Sequence, residues 1–217
     1  MYIELQKRIL SSLILIPIVF AFIIIGNIYF NVLIFICLFI SLFEWHRLSF
    51  KKKYYLIGII YLIISFCSVY YFRLNNGFLA SLFVILVCIF TDIGGYIFGR
   101  IFKGPKLTKI SPNKTYTGLF GGFFIPVISF FLLNQIENSY LNESNLIIII
   151  DDTFLKYFII ILISTASQFG DILISYFKRL AKVKDTGKII PGHGGLLDRI
   201  DGMLLAFPTA FLIFKIL

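Results

Sequence analysis

One short polar passage, KDTGKIIPGHGGLLDRIDG from Lys184 to Gly202, interrupts a chain that consists mostly of Ile, Leu and Phe. Its carboxylates offer the oxygen ligands that Mg²⁺ prefers, and Asp198 and Asp201, three residues apart, share a helix face. Its glycines let the backbone approach a ligand closely. Carboxylates, cations and glycine-rich turns together favour phosphoryl or nucleotidyl transfer, in which catalysis is mainly positioning and charge neutralisation.

A second polar passage, GPKLTKISPNKTYTG at positions 104–118, combines lysines with hydroxyl and amide side chains. Pro112 suits the first turn of a helix with Ser111 as its N-cap, and backbone N–H groups exposed at such a start favour an anion. The glycine spacing of a Walker A loop is absent. We expect a phosphate-binding loop, and a generic solvated basic loop is the alternative. Its candidate substrate-binding residues are Ser111, Asn113, Lys114 and Thr115.

Two further carboxylates lie inside apolar runs, in TDIGGYIFGR and QFGDILISYFKR. Asp92 and Asp171 each precede an Arg by eight residues, which is about 12 Å of helix, so we expect them at similar depth. A carboxylate in an apolar span costs several kcal/mol unless it is paired, solvated or bound to a cation. The pair is predicted to clamp a metal ion; the alternative is that each is protonated or caps a polar neighbour. For Gly95, nearby, helix packing is an equal alternative to ligand approach.

The histidines and cysteines exclude several other chemistries. His193 lies between glycines beside the carboxylates and is predicted to donate a hydrogen bond to a phosphate rather than to act as a base. His46 is expected to be interfacial. No convincing Ser-His-Asp, Cys-His or zinc constellation is present. Cys37, Cys67 and Cys88 lie in apolar runs without CxxC spacing, so all three are predicted to be buried structural thiols.

Composition indicates what must position these residues. The chain is 59% hydrophobic and 14% charged, with a mean hydropathy of +0.94, whereas soluble domains are about 25% charged. We predict an all-α, polytopic transmembrane helical bundle, because the runs lack strand alternation and a span needs about 17–25 residues. About seven spans are expected, with eight or nine as alternatives: Ile9–Ile25, Ile28–Trp45, Tyr54–Phe72, Phe78–Phe98, Gly118–Leu133, Phe154–Phe177 and Met203–Leu217.

The whole chain, residues 1–217, is predicted to form a single membrane domain. Residues 1–89 supply N-terminal helices, and residues 90–217 form a catalytic part with motif loops at 100–117 and 178–202. The first run is interpreted as a retained helix rather than a signal peptide, because no cleavage site precedes Gly26. The patch Leu146–Ile150 is too short to span and is expected to be re-entrant or interfacial.

Charge distribution predicts the orientation. Seventeen of the 20 cations fall in the N-terminal segment and in the second, fourth and sixth connections. This positive-inside pattern places those segments in the cytoplasm, so a multi-pass protein of the cell's inner membrane with a cytoplasm-facing active site is expected. The alternative for the cations is that they only set orientation and contact anionic lipid headgroups. No nucleic-acid partner is expected.

The passage SYFKRLAKVKDTGKIIPGHGGLLDRIDG, positions 175–202, resembles the signature of the phosphatidate cytidylyltransferases, or CDP-diacylglycerol synthases. That signature has a Ser, a Lys-Arg pair, Lys-Asp, Pro-x-His-Gly-Gly and Asp-Arg-x-Asp. TDIGGYIFGR and SPNKT also resemble the family's upstream motifs, and the resemblance covers about Phe90 to Gly202. After SPNKT the family often has an aromatic residue and a Glu, where this chain has Tyr116 and Thr117. The matching residues are Ser175, Lys178, Arg179, Lys184, Asp185, Pro191, His193, Gly194, Gly195, Asp198, Arg199 and Asp201.

The resemblance implies that CTP and phosphatidate react to CDP-diacylglycerol and pyrophosphate with Mg²⁺ as cofactor. The lipid bilayer is an expected partner, and a homodimer is left open. Metal candidates are Asp92, Asp171, Asp198 and Asp201. Catalytic candidates are Asp185, His193, Asp198, Arg199 and Asp201. Further substrate-binding candidates are Lys178, Arg179, Lys184, Gly194 and Gly195.

Two other functions are compatible with the same residues. The first is a related CTP-using transferase that acts on another lipid phosphate or a polyprenol, because the loops indicate phosphate chemistry but hardly specify acyl chains. The second is an anion transporter, which also uses intramembrane carboxylates and basic loops. The transporter hypothesis does not predict that most of the polar residues lie on one side of the membrane.

Overall fold

The computed structural model describes residues 13, 17–108, 111, 114–140, 152–190, 192 and 194–216, and within them the structure is helical without a β-strand. The predicted all-α class is confirmed. A helical segment over residues 17–25, here α1, precedes six further helices. They are α2 (Asn27–Ser49), α3 (Tyr55–Phe102), α4 (Tyr116–Tyr140), α5 (Thr153–Leu180), α6 (Leu197–Ile200) and α7 (Met203–Ile216).

Four of these helices, α2, α3, α4 and α5, are long and apolar enough to cross a membrane. The apolar α7 has only 14 residues, about 21 Å of helix. The chain is therefore a helical membrane protein, while about seven spans stays a prediction. The start of the first predicted run and the patch Leu146–Ile150 lie outside the described residues.

The helix α3 is a helical hairpin rather than one rod. Its 48 residues would extend about 72 Å if straight, but Gly77 has φ +78° and ψ −170°, a conformation that only glycine adopts without strain. Ser65 donates to Leu204 O at 2.6 Å, and Phe72 packs on Phe207 further along α7. Residues beyond Gly77 then return along α7, since Asp92 lines the same cavity as Asp201. We call the halves α3a (55–76) and α3b (78–102).

A second glycine reversal lies beside the first. Gly26, with φ +69°, separates α1 from α2. Arg73, near the end of α3a, donates from Nη2 to Ile23 O at 3.1 Å and lies over the Phe78 ring. This contact places the α1–α2 and α3a–α3b connections at one end of the bundle.

The core is centred on α7, which packs against α3, α5 and the loop before it. One buried cluster joins α3b and α5 to Ala206 and Ala210 of α7, and another joins α2 and α3a to Leu204. Outward faces are apolar too: Phe39 is 74% exposed and Phe154 80%. A helix that is hydrophobic all round indicates a lipid surrounding, where small residues and buried hydrogen bonds select the packing face.

The lipid-facing surface also corrects one prediction. Only Cys88 is buried, whereas Cys37 is half-buried and Cys67 is exposed. The expectation of three buried thiols is wrong for Cys67, because an apolar neighbourhood in a membrane helix does not distinguish the inner face from the outer face.

The described residues of the connections 50–54, 103–115 and 181–196 lie at the end of the bundle opposite Gly26 and Gly77. Glu44, near the end of α2, accepts hydrogen bonds from Leu196 and Leu197, and Lys114 before α4 contacts Asp171 near the end of α5. These are the connections that the charge pattern assigns to one side. That they face the cytoplasm stays a prediction.

Candidate active site

Glycines bring α3b and α4 into close contact. A Cβ on Gly118 would lie 2.8 Å from Gly95 O, and one on Gly94 would lie 2.9 Å from Ile125 Cβ, so neither position has room for a side chain. Close approach through small residues is a common way to pack helices in membranes. It places Asp92, two residues before Gly94, opposite the start of α4.

A buried hydroxyl chain connects α5 to the same pair. Thr91 Oγ1 donates to Ser164 Oγ at 3.0 Å, and Ser164 Oγ donates to Gly122 O of α4 at 2.7 Å. The hydroxyls of Thr91 and Ser164 each have an acceptor, so these polar groups stabilise the three-helix contact instead of being buried unpaired. The first of these hydroxyls belongs to Thr91, which directly precedes Asp92.

Two more glycines join α5 to α7. A Cβ on Gly170 would lie 2.6 Å from Asp201 O, and one on Gly202 would lie 2.5 Å from Ser167 Oγ. Each glycine is adjacent in sequence to a carboxylate, so their contact brings Asp171 and Asp201 side by side. Spacing within one helix does not reveal this pairing.

These contacts surround a cavity of about 470 Å³, a size that suits a small-molecule ligand. Its wall is formed by α3b, the loop before α4, the end of α5 and the segment before α7. Most predicted site residues line it: Asp92, Asp171, Asp185, Asp198 and Asp201, with Ser111, Lys114, Thr115, Lys178 and Arg199.

Other predicted residues lie elsewhere or outside the described part. Arg179 and Lys184 are exposed and do not line the cavity, although Arg179 Nη1 donates to Val183 O at 3.3 Å. Gly194, at φ +89°, and Gly195 lie next to the Asp198 carboxylate and do not line the cavity. Asn113 and His193 lie outside the described residues, as does Pro191.

Lys114 supplies a positive charge between the two helical carboxylates. Its Nζ lies 2.5 Å from Asp171 Oδ2, and Asp171 Oδ1 accepts from Ser175 Oγ at 3.3 Å. Asp92 is exposed and lines the cavity. An ionisable group in an apolar helix is tolerated where it faces such a cavity.

Asp198 is held by donors from two directions. Oδ1 pairs with Lys178 Nζ at 2.8 Å, while Oδ2 accepts from Thr186 N at 2.8 Å and Gly195 N at 3.2 Å and lies 3.1 Å from Thr186 Oγ1. Burial alone would raise the pKa of Asp198, but these bonds from Lys178, Thr186 and Gly195 outweigh burial and lower it. The carboxylate therefore contributes stability above the ordinary carboxyl pKa of about 3.9, and loses it as pH falls through the lower folded-state pKa.

Asp201 has the opposite electrostatic surroundings. Burial raises its pKa well above the ordinary value; the Asp171 carboxylate raises it further, Lys178 opposes the shift, and Asp92 adds to it. Its Oδ1 accepts from Gly202 N at 3.0 Å. Three carboxylates thus repel one another in one cavity, an arrangement that a bound cation stabilises.

The donor set fits a magnesium ion shared with a phosphate ligand. Among the described side chains, no three of the types Asp, Glu, His and Cys are close enough to hold one ion alone. Mg²⁺ sites commonly use one or two carboxylates together with substrate phosphates and water. Asp92, Asp171 and Asp201 line the cavity with such oxygens, and at Asp171 these already contact Lys114 and Ser175. The Asp198 oxygens accept three hydrogen bonds, from Lys178, Thr186 N and Gly195 N.

The loop before α4 corrects one local prediction. The cap of α4 is Thr115, whose Oγ1 accepts from Gly118 N at 3.1 Å, not Ser111. Backbone pairing of Lys106 with Thr115 fixes the residue that directly precedes the helix, which begins at Tyr116. Thr117 Oγ1 accepts from Gly104 N at 3.3 Å and lies 2.9 Å from Thr115 Oγ1, so it fastens the loop to the helix start.

Sequence reasoning missed Glu44 of α2. This carboxylate is 1% exposed and accepts three hydrogen bonds from the loop that carries Asp198. Glu44 shares the sequence feature that singled out Asp92 and Asp171, because it too is a carboxylate in an apolar run. Its position close to the helix end and the basic connection made it inconspicuous.

Comparisons with known proteins identify the family of this chain. Residues 51–217 match the model described as the Cytidylyltransferase family. The chain is 35% identical to the phosphatidate cytidylyltransferase of Rickettsia bellii over 97% of this chain and 90% of that protein. It is 34% identical to that of Rickettsia felis over 95% and 90%. It is 35% identical to that of Staphylococcus epidermidis over 80% of this chain and 64% of that protein.

Proposed function

This chain belongs to the cytidylyltransferase family, and from that premise we propose that it transfers the cytidylyl group of CTP to phosphatidate. The products are CDP-diacylglycerol, a precursor for phospholipid synthesis, and pyrophosphate. The observation that carries the proposal is one cavity in which carboxylates and ammonium groups meet at one end of an apolar helical bundle. Such a site can receive a water-soluble nucleotide and a membrane lipid together. The names of the relatives support phosphatidate as the lipid.

The reaction needs little from a general base. A phosphate monoester has a second pKa near 6, so the phosphatidate headgroup is largely dianionic at pH 7. One of its oxygens attacks the α-phosphorus of CTP and forms the new P–O bond. The bond from that phosphorus to the bridging oxygen breaks, and pyrophosphate leaves with the electron pair.

The residues of the cavity supply positioning and charge neutralisation. Lys114 and Lys178 are each oriented by a carboxylate partner, Asp171 and Asp198 respectively, and Arg199 lines the same wall. These cations bind phosphate oxygens of the two substrates. Preorganised charge of this kind stabilises the transition state of phosphoryl transfer because it needs no rearrangement during reaction.

Mg²⁺ is part of the proposal. Asp92, Asp171 and Asp201 would hold it with substrate phosphate oxygens, because they line the cavity and repel one another without a cation. When bound, the ion neutralises charge that develops on the phosphates. Asp198 and Asp185 orient neighbouring groups in this scheme.

The finer membrane arrangement is also proposed. The basic end of the bundle faces the cytoplasm at the cell's inner membrane, as the positive-inside pattern predicts, and the chain crosses about seven times. CTP then reaches the cavity from the aqueous side and phosphatidate from the bilayer. A homodimer stays a prediction.

The test is an incubation of purified protein with CTP labelled at the α-phosphate, Mg²⁺ and micelles of phosphatidate, polyprenyl phosphate or neutral lipid. Lipid-linked CMP is expected only with phosphatidate. If polyprenyl phosphate is labelled and phosphatidate is not, the lipid assignment is wrong. Anion uptake into proteoliposomes without nucleotide turnover would instead support the transporter.

A further inference from the structure

Glu44 is a buried carboxylate that takes no part in the reaction as described above. It lies in α2, five residues before the helix ends at Ser49, and is 1% exposed. A carboxylate buried in an apolar helix costs several kcal/mol unless donors satisfy it. Its position near the helix C-terminus adds an unfavourable field from the backbone carbonyls. The fold therefore has to compensate for this residue.

The donors to Glu44 all come from one distant loop. Oε1 accepts from Leu196 N at 2.9 Å, and Oε2 accepts from Leu197 N at 2.9 Å. Thr186 Oγ1 lies 2.9 Å from Oε2. Both sides of the loop 186–197, which is more than 140 residues away in sequence, are thus tied to one side chain.

Two glycines show how closely this loop packs on the carboxylate. A Cβ on Gly187 would lie 2.5 Å from Glu44 Oε1, and one on Gly195 would lie 2.7 Å from Oε2. Neither glycine has a positive φ, so the need for glycine comes from the space that Glu44 occupies and, at Gly195, from the Thr186 hydroxyl and the Gly187 backbone as well. This accounts for Gly195 without any contact to a ligand.

The same backbone segments hold Asp198. Thr186 N and Gly195 N donate to Asp198 Oδ2, and Thr186 Oγ1 lies 3.1 Å from that oxygen as well as 2.9 Å from Glu44. Asp198 in turn orients Lys178, which lines the cavity. The contacts therefore run from Glu44 through the loop to the cavity.

We infer that Glu44 is a positioning residue, which fixes the loop 186–197 so that Asp198 and Arg199 face the cavity. It does not line the cavity itself. The inference rests on the proposed function for its effect on turnover. It also extends the site to a residue outside the range 51–217 that matches the family model.

The first test replaces Glu44 with Gln, which keeps the volume but leaves one acceptor oxygen. An amide NH₂ then faces Leu196 N–H or Leu197 N–H, and the loop loses an attachment. We expect kcat to fall roughly 10- to 100-fold, as when outer-shell partners of a site are removed, with a smaller change in the KM for phosphatidate. The matched control is Ser41→Ala, a buried polar residue of the same helix without a loop contact, which should behave as wild type.

A second measurement does not depend on activity. Trypsin should cut Glu44→Gln faster at Lys188, which is exposed on the tethered loop, and at the exposed Lys182 and Lys184 just before it, but not at Lys103 and Lys106 of the other loop. Faster cutting at both loops would mean that Glu44 supports the whole fold, and wild-type cutting and turnover would mean that it positions nothing. Either result overturns the inference, as does faster loop cutting with wild-type kcat.

A third comparison uses the hydroxyl between the two carboxylates. Thr186→Val should reproduce the loop-selective cutting and the fall in kcat to a lesser degree, and Thr186→Ser should restore both. Failure of Ser to restore them would contradict a hydrogen-bonding role. If wild type itself transfers no cytidylyl group, the proposed function fails, while loop-selective cutting still supports Glu44 as the anchor of this loop.

Discussion

At the scale of single residues, the carboxylates of this protein differ in what surrounds their oxygens. Asp198 and Glu44 are each satisfied by several protein donors. Asp92 and Asp201 instead line the cavity, and burial, together with the neighbouring Asp171 carboxylate, raises the pKa of Asp201. The first kind holds a loop in place, and the second kind faces the cavity in which the metal and substrates are proposed to bind.

Asp201→Asn should reduce turnover by about 100-fold or more, because it removes one of the charges proposed to hold Mg²⁺. The measurement is kcat at saturating Mg²⁺, with detergent extraction to show that the variant is inserted. Asp152→Asn is the matched control: Asp152 caps α5 through Phe154 N at 2.8 Å, and Asn caps a helix equally well. Near-normal Mg²⁺-dependent activity in Asp201→Asn would rule out its role at the metal.

Lys114→Gln should lower kcat/KM for CTP by about 10- to 100-fold. The expected loss corresponds to about 1.5–3 kcal/mol for one charge-assisted hydrogen bond. Lys106→Gln is the control, since Lys106 is exposed on the same loop and does not line the cavity. Equal losses in both variants would indicate a general charge effect of the loop instead of a contact made by Lys114.

At the scale of helices, glycines decide where the carboxylates meet. The sequence shows Gly94, Gly170 and Gly202 as small residues beside acidic ones, but the structure shows which helix each contacts. Gly77 has a different purpose, because its positive φ reverses α3 and nothing lies within 4 Å of a Cβ there. Packing and backbone conformation thus explain different glycines of one chain.

Gly94→Ala should destabilise the protein by about 1–3 kcal/mol, the usual cost of overpacking, because its Cβ would press on the Gly121 backbone and on Ile125. Thermal unfolding in detergent measures the effect as a lower Tm. Gly95→Ala is the neighbouring control, since the nearest atom to its Cβ is 3.6 Å away. If both variants melt alike, α3b and α4 are further apart than described.

At the scale of the whole molecule, basic connections and glycine reversals lie at opposite ends of an apolar bundle. The cavity opens among the basic connections, where Lys114, Lys178 and Arg199 line it. In the proposed function, an anionic nucleotide and an anionic lipid headgroup would both be attracted to this basic end of the bundle, which would raise the local concentration of both substrates.

Labelling with a membrane-impermeant maleimide tests the orientation. In a background with Cys37, Cys67 and Cys88 replaced by Ser, we expect Lys52→Cys and Lys188→Cys to react in inside-out vesicles only. Asp152→Cys, at the other end of α5, should react in right-side-out vesicles only. Reaction of all three from the same side would contradict the bundle orientation.

Local sequence properties were enough for the class of protein and for most of the cavity wall. Composition indicates a membrane bundle because lipid exposure requires apolar residues on every face. Acidic residues in apolar runs are conspicuous for the same reason, and two of them, Asp92 and Asp171, prove to line one cavity. Motif spacing in the sequence alone places Lys178, Asp198, Arg199 and Asp201 in one polar passage.

Only the tertiary structure decided which of these groups face the cavity and which are held by the protein. The bonds from Glu44 to Leu196 and Leu197 join segments about 150 positions apart, and no periodicity predicts such a pairing. Uniformly apolar helices do not indicate which face packs inward, so the exposure of Cys67 was not predictable. The cap at Thr115 depends on pairing with Lys106 across a loop. Sequence spacing thus determines what a residue can do chemically, while three-dimensional packing determines which partner it meets.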